Sequence, residues 1–402
     1  MFKRLYAFIC SVSLLTMGIC GAAAYLSPSE MTVSSDSGIF CCEFPLSVRY
    51  DDIGASAELS SCAAAEGEIM LFGSIPVKPV NIEFSERQNV KLGGEPFGIR
   101  IYTDGLVVSE LSSVPTAEGR KNPSAEAGIS CGDTITSVNG IRLRTNEQLT
   151  EAVQKSQGKS ISIEAVRNGE TYMTSITPAM DSQLKSWRIG LWVRDSCAGI
   201  GTVTFTDPET DTFAGLGHGI CDNNSGSIMP LYEGDIVPAV ITSVDKSTGG
   251  CPGSLCGSFS DNKAIGTIYA NDNCGLYGKI LSDFGSGAII PIAFRQEVVR
   301  GKAQIRTTIS GDTPEYYDIE IEDISYNNNN VTKNMIIKVT DERLLDLTGG
   351  IVQGMSGSPI IQNGRLAGAV THVFINDPTH GYAIFSENMA AYNNCIIQKH
   401  TE

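Results

Sequence analysis

The stretch that decides how this chain is read is Gly354-Met355-Ser356-Gly357-Ser358-Pro359. A serine set in Gly-x-Ser-Gly sits on a turn whose glycines let the backbone bend sharply, which leaves its hydroxyl exposed. The amides of Gly354 and Ser356 can then converge on one point, the geometry that stabilises a developing oxyanion. Upstream lies the pair Gly349-Gly350. Downstream come Ile360-Ile361, the turn Asn363-Gly364 and an apolar strand over 366–372. The serine turn therefore leads into a hairpin, not into the helix that a strand-to-helix nucleophile elbow requires. A glycine turn without chemistry can give the same string, so the reading needs a base.

A serine hydroxyl at neutral pH needs a neighbour to take its proton. The chain has four histidines, His218, His372, His380 and His400. His218 has the distinctive frame, Ala214-Gly215-Leu216-Gly217-His218-Gly219-Ile220, whose glycines let the chain turn tightly and a substrate approach the ring. It stands 138 residues before Ser356, so base and nucleophile can come from opposite halves of a double barrel. His372, in the apolar strand after the serine, reads as a pocket-lining histidine; His380 and His400 lie in a polar loop and the tail. A dinucleotide-binding reading of 215–219 fails, because turn-rich 222–227 follows where a helix is required. No H-E-x-x-H or phosphate-loop lysine motif occurs, and neither metal nor cofactor is expected. Cys251 and Cys256 read as metal ligands, a strained local bridge, or simply buried or paired thiols. The carboxylate that would orient the imidazole is not fixed by position, since eleven aspartates lie between His218 and Ser356. By topology alone, Asp245 or Asp272 would look natural.

The whole chain sets limits on these readings. Its 402 residues suggest two to three domains. A net charge of −16, from 29 basic and 45 acidic side chains, argues against a nucleic-acid partner. Charged residues make up 18%, too few for a mainly disordered chain. Lys3 and Arg4 precede an uncharged run from Leu5 to Leu26, long enough to cross a hydrocarbon core of about 30 Å. We expect a membrane anchor over 1–26, with a signal cleaved near the small residues 21–24 as the alternative; both export the remainder of the chain. Two of the twelve cysteines fall in that segment, and export permits disulfides among the rest. Residues 27–90 read as a Ser-rich linker and a small β lead-in, with strand-like runs at Glu68–Phe72 and Val77–Phe84.

Residues 91–180 read as a compact module: a glycine-rich opening at 93–99, tight hairpins at Asn139-Gly140 and Asn168-Gly169, and a helix over 146–156. Residues 186–402 are rich in short strands and Gly/Asn/Asp turns, the pattern of β-barrels, and are long enough for two. The string A-G-I-x-x-G-D-x-I-x-x-x-N-G over 127–140 resembles PDZ domains, especially those attached to bacterial exported proteases. That resemblance implies a groove that binds peptide carboxyl ends by strand addition, with Phe97, Gly98 and Ile99 offering backbone amides to the carboxylate.

The serine turn and its hairpin resemble chymotrypsin-like serine proteases. More specifically, 90–390 resembles the stage IV sporulation protein B peptidases. The residues that carry this are Arg188-Ile189-Gly190, the G-H-G-I of 217–220, T-G-G-I-V-Q-G-M-S-G-S-P-I-I-Q-N-G over 348–364 and A-V-T-H-V-F-I-N-D-P-T over 369–379. The expected fold is mainly β: a PDZ domain, then a chymotrypsin-like double β-barrel serine peptidase domain, behind the anchor. The resemblance implies a triad of His218, Asp341 and Ser356, an oxyanion hole from Gly354 and Ser356, and no cofactor. It further implies self-cleavage and cleavage of a membrane-bound regulator of an intramembrane protease, in the space between forespore and mother cell. The cysteine load and the 34–62 lead-in depart from the family picture. A non-catalytic PDZ adaptor on the same scaffold is the competing class.

Overall fold

The computed structural model describes residues 2–34, 46–50, 64–282, 284–326 and 330–401. Phe2–Leu26 is helical, in line with its uncharged run. Among the described residues no helix is long and apolar enough to cross a membrane, so the expected anchor rests on the sequence alone. Most of the 34–62 lead-in, with Cys41, Cys42 and Cys62, lies outside the described residues. The flanking strands Glu30–Val33, Leu46–Tyr50, Ala64–Leu71 and Ile75–Phe84 make one sheet, closed over Met31, Val33, Ile69, Val80 and Ile82.

The organising element is the strand Pro96–Leu111. Its first half, up to Thr103, lies between Leu191–Asp207 on one side and Leu231–Asp245 on the other. Gly105, at φ +105°, allows a kink against the backbone of Ile135 that no side chain would tolerate. The second half then pairs with Thr134–Val138, Leu106 opposite Ile135, and enters the PDZ-like module. Thr134–Val138, Ile161–Arg167 and Glu170–Ile176 continue that sheet. Both expected hairpins form, Asn139-Gly140 at φ +50° and +77° and Asn168-Gly169 at φ +52° and +83°, the left-handed pairs a two-residue turn demands. Helix Asn146–Lys155 starts at a capping box of Thr145 and Gln148 and packs Leu149 and Val153 into the module core.

Beyond the module the chain builds two barrels. Pro96–Leu111, Leu231–Asp245, Gly266–Asp272, Gly275–Ile280, Thr212–Gly215 and Leu191–Asp207 pair in a ring that the last closes on the first. Phe97, Ile99, Ile101, Val203, Phe213, Ile236 and Leu276 fill it. The second barrel closes through Gly301–Thr307, Glu315–Ile324, Met335–Val339, His380–Phe385, Arg365–Val373 and Pro359–Gln362. The expected double barrel is therefore present, but the expected order of module first and barrels second is corrected. The module interrupts the first barrel, because the strands on either side of it, 96–111 and 191–207, each run through both.

Candidate active site

The serine turn is held where the two barrels meet. Gly357, at φ +94°, brings its Cα so close to the first barrel that a Cβ would lie 2.1 Å from Thr202 O. Thr202 N donates to Ser356 O at 3.3 Å. The hydroxyls of Thr202 and Thr204 donate to the carbonyls of Gly354 and Gly357, each at 2.8 Å. Ser358 is buried and donates to Thr307 Oγ1, a structural role. Around the turn, Met355 N, Gly357 N and Ser358 N all find backbone acceptors. The amides of Gly354 and Ser356 donate to none among the described residues and line the cleft with the serine. Ser356 Oγ donates to Thr371 O at 2.7 Å.

His218 reaches the same cleft from the first barrel. Leu216 and Gly217 both take φ +68° just before it, and a left-handed leucine is a strained conformation of the kind that clusters at working sites. A Cβ on Gly217 would press on Thr371 and Ile384, so the glycine lets the histidine turn lie against the second barrel. His218 Nδ1 is 2.9 Å from Gly219 O. With Nδ1–H donating there, Nε2 is free to accept a proton. Burial pushes the imidazole pKa below its ordinary value, and the Gly219 carbonyl offsets this in part. The ring of His372 lies 4.9 Å away, centroid to centroid, tilted by 37°, and lines the cleft as expected of a pocket histidine. Its pKa is pushed down by desolvation and by His218 and Lys333.

Asp341 is not brought to this cleft. It is the N-cap of helix Glu342–Thr348, accepting from the amides of Arg343 and Leu344, and it pairs with the Arg343 guanidinium at 3.0 Å. Asp318 N also donates to it. Desolvation alone would raise its pKa, but Arg343 and these amides together hold it low. In this structure the carboxylate expected to orient His218 is thus a helix cap, and the Gly219 carbonyl holds the ring instead.

The peptide-binding assignment of Phe97, Gly98 and Ile99 is also corrected. Phe97 and Ile99 are buried in the first barrel, paired on both edges, so their segment has no free amide edge to offer. A Cβ on Gly98 would lie 2.4 Å from the Phe259 ring. The preceding loop serves the barrel interface, with the carbonyls of Gly93 and Gly94 accepting from Arg306 and Thr308. Its glycines answer a packing need that looks, in sequence, like a carboxylate loop.

The described cysteines, Cys251 and Cys256 among them, are free thiols. Among the described residues no three of His, Cys, Asp or Glu are grouped to hold a metal. His380 pairs with Asp377 and Glu322, while the His400 side chain lies outside the described residues. Sequence reasoning missed Thr202, Thr204 and Thr371, which act through backbone contacts that residue type does not advertise.

The model of the SpoIVB peptidase S55 family matches residues 185–390, more than half of the chain. The chain belongs to that family. A PDZ domain model matches 117–167, downstream of the corrected Phe97–Ile99 segment. Zinc metalloprotease RasP of Shouchella clausii is 39% identical over 67 residues, 17% of this chain and 16% of that protein. Putative zinc metalloprotease LL2128 of Lactococcus lactis is 26% identical over 168 residues, 42% of this chain and 34% of that protein. The chain thus spans about a sixth to a third of the length of these curated relatives. The solved PDZ domain of the SdrC-like protein (Lmo2051) from Listeria monocytogenes aligns at 19% identity and TM-score 0.19, over 23% of this chain and 90% of that one. The Rv3671c protease from M. tuberculosis, active form, aligns at 15% identity and TM-score 0.31, over 50% of this chain and 74% of that one.

Proposed function

We propose that this chain is a serine endopeptidase that cuts polypeptides, itself included. Ser356 attacks the scissile carbonyl, His218 Nε2 takes the hydroxyl proton and returns it to the leaving amine, and the Gly354 and Ser356 amides hold the oxyanion. The observation that carries this reading is the cleft between the barrels. It collects Ser356, the amides of Gly354 and Ser356, which have no acceptor among the described residues, and His218. In its finer form, supported by the family resemblance, the protein is an exported, anchored peptidase of endospore formation. It acts between the forespore and mother-cell membranes on a membrane-bound regulator, which releases intramembrane processing of pro-sigma-K. The uncharged run behind Lys3 and Arg4 supports the anchor. A fluorophosphonate probe tests the chemistry: it should label the purified protein at Ser356 and leave Ser356→Ala unlabelled.

One observation favours the adaptor reading. Ser356 Oγ donates its hydrogen bond to Thr371 O, and among the described residues no carboxylate is hydrogen-bonded to His218. A folded protein that neither labels nor cuts any polypeptide would establish the adaptor.

A further inference from the structure

The group that orients His218 is one end of a peptide unit, and the other end of that unit is also held. A carbonyl has no hydrogen to give, so Nδ1, at 2.9 Å from Gly219 O, is the ring nitrogen that carries the proton. The Gly219 C=O shares its planar unit with the Ile220 N–H, and in a trans peptide the two point in opposite directions. Ile220 N–H donates to Asn271 Oδ1 at 2.7 Å. His218 and Asn271 therefore bond to opposite ends of one peptide plane.

The Asn271 carboxamide is fully engaged around this turn. Its Nδ2 donates to Ile220 O and to Met229 O, both at 2.9 Å. With Oδ1 accepting from Ile220 N, a flipped amide would satisfy none of the three contacts. Asn271 stands near the end of the strand Gly266–Asp272, whose hairpin with Gly275–Ile280 lies against the histidine turn. A Cβ on Gly219 would meet Asp272 O at 2.8 Å. Topology alone favours this hairpin as the source of an orienting carboxylate. The Asp272 carboxylate instead accepts from Asn273 N, and the side chain next to it holds the histidine turn.

Resting on the endopeptidase reading, we propose that Asn271 is a positioning residue that acts through the 219–220 peptide unit. It holds His218 in the Nδ1–H tautomer and so leaves Nε2 to accept the serine proton. Two effects combine. Gly219, with no side chain, would let the unit swing its carbonyl away from the ring, and the bond to Ile220 N–H stops this. An N–H that donates also makes the carbonyl of its own unit a stronger acceptor, because hydrogen bonds in a chain polarise one another.

The full chain is labelled with nitrogen-15 histidine and read by NMR at mildly alkaline pH, where the ring is uncharged, with His218→Ala assigning the signal. Wild-type His218 should be almost wholly Nδ1–H, and Asn271→Ala should become a mixture of tautomers. The second-order rate of fluorophosphonate labelling at Ser356 should fall about ten- to hundredfold, short of the roughly ten-thousandfold loss when a triad histidine is left in the wrong tautomer. Asn271→Asp keeps an oxygen for Ile220 N–H and drops the amide donors. It should lower Tm as Asn271→Ala does, yet keep the tautomer and label within about threefold of wild type, since a carboxylate is a strong acceptor. Should Asn271→Ala not fold, Asn271→Ser, whose hydroxyl stops one bond short of Ile220 N, is read in its place. A wild-type ring in the Nε2–H form, an unchanged tautomer or labelling rate in Asn271→Ala, or labelling that merely follows Tm in both variants overturns the positioning role and leaves the peptidase standing. A wild-type chain that the probe does not label overturns the endopeptidase reading, and the positioning role with it.

Discussion

The two barrels are built from the chain in opposite ways. The second draws all six strands from one continuous stretch, Gly301–Phe385. The first takes Pro96–Leu111 from ahead of the PDZ-like module and its other five strands from beyond it. The module is therefore inserted within the sequence of the first barrel and shares with it the strand Leu191–Asp207, whose Thr202 and Thr204 brace the serine turn. Nothing comparable interrupts the barrel that carries the serine.

The largest effect expected from this contrast concerns domain cutting. A fragment from 186 to 402 contains the second barrel whole but lacks the strand carrying Phe97, Ile99 and Ile101, all buried. Burying each such side chain contributes about 1.5–3 kcal/mol, and a domain's net stability is only about 5–15 kcal/mol. The fragment should show no cooperative thermal transition over its first half and no probe labelling, whereas 86–402 should show both. A fragment from 186 that folds and labels would break the comparison outright.

Next come the two residues that the barrels contribute to one cleft. Ser356→Ala and His218→Ala should each lower cleavage by about a thousandfold or more with folding intact. Because such residues act as a unit, the double variant should be no worse than either single one. Rates of self-cleavage in purified protein decide this, and additive losses would assign the residues to separate steps.

The sequence made the second barrel and the serine turn legible because their determinants are local. The positive-φ glycines of 349–357 and the Asn363-Gly364 hairpin act within a few residues, as does the glycine frame of His218 on the first barrel. The first barrel's closing strand was not legible. Whether 93–99 is a ligand loop or a barrel strand depends on Val237, Phe259 and Arg306, far away in the chain, and both roles demand glycine. Asp341 failed for a related reason. An aspartate before Glu342-Arg343-Leu344-Leu345 is equally a helix cap, and only the fold separates the two roles.

A smaller effect tests the corrected strand. Gly98→Val places atoms inside the space of Phe259 and Val237 and should cost about 1–3 kcal/mol, read as a lowered Tm, with Gly98→Ala milder. An unchanged Tm together with weakened binding of a carboxyl-terminal peptide would restore the ligand-loop assignment. Asp341→Ala should cost about 1 kcal/mol as a lost cap and change kcat/KM only about threefold. A loss near that of Ser356→Ala, with Tm preserved, would make Asp341 catalytic.

The finest distinction lies in the acid limb of the pH profile, because a carboxylate behind His218 would outweigh its burial, whereas the Gly219 carbonyl offsets that burial only in part. A carboxylate against the ring favours the imidazolium and raises its pKa, whereas burial lowers it and the Gly219 carbonyl raises it by less. Here desolvation dominates and the direction is down from the ordinary 6.5. Protonated His218 cannot accept the serine proton, so kcat/KM should fall as pH drops, through a single apparent pKa below 6.5. Stability carries the same sign. The unfolded histidine binds its proton near pH 6.5 and the folded one only at lower pH, so the contribution is complete above 6.5 and is lost as pH falls toward the folded pKa. The slope in that window cannot exceed about 1.4 kcal/mol per pH unit for one group. Asp341→Asn should leave the limb where it is. A wild-type limb above pH 7 that moves acidward in Asp341→Asn would instead mean that the aspartate reaches the imidazole in the working enzyme.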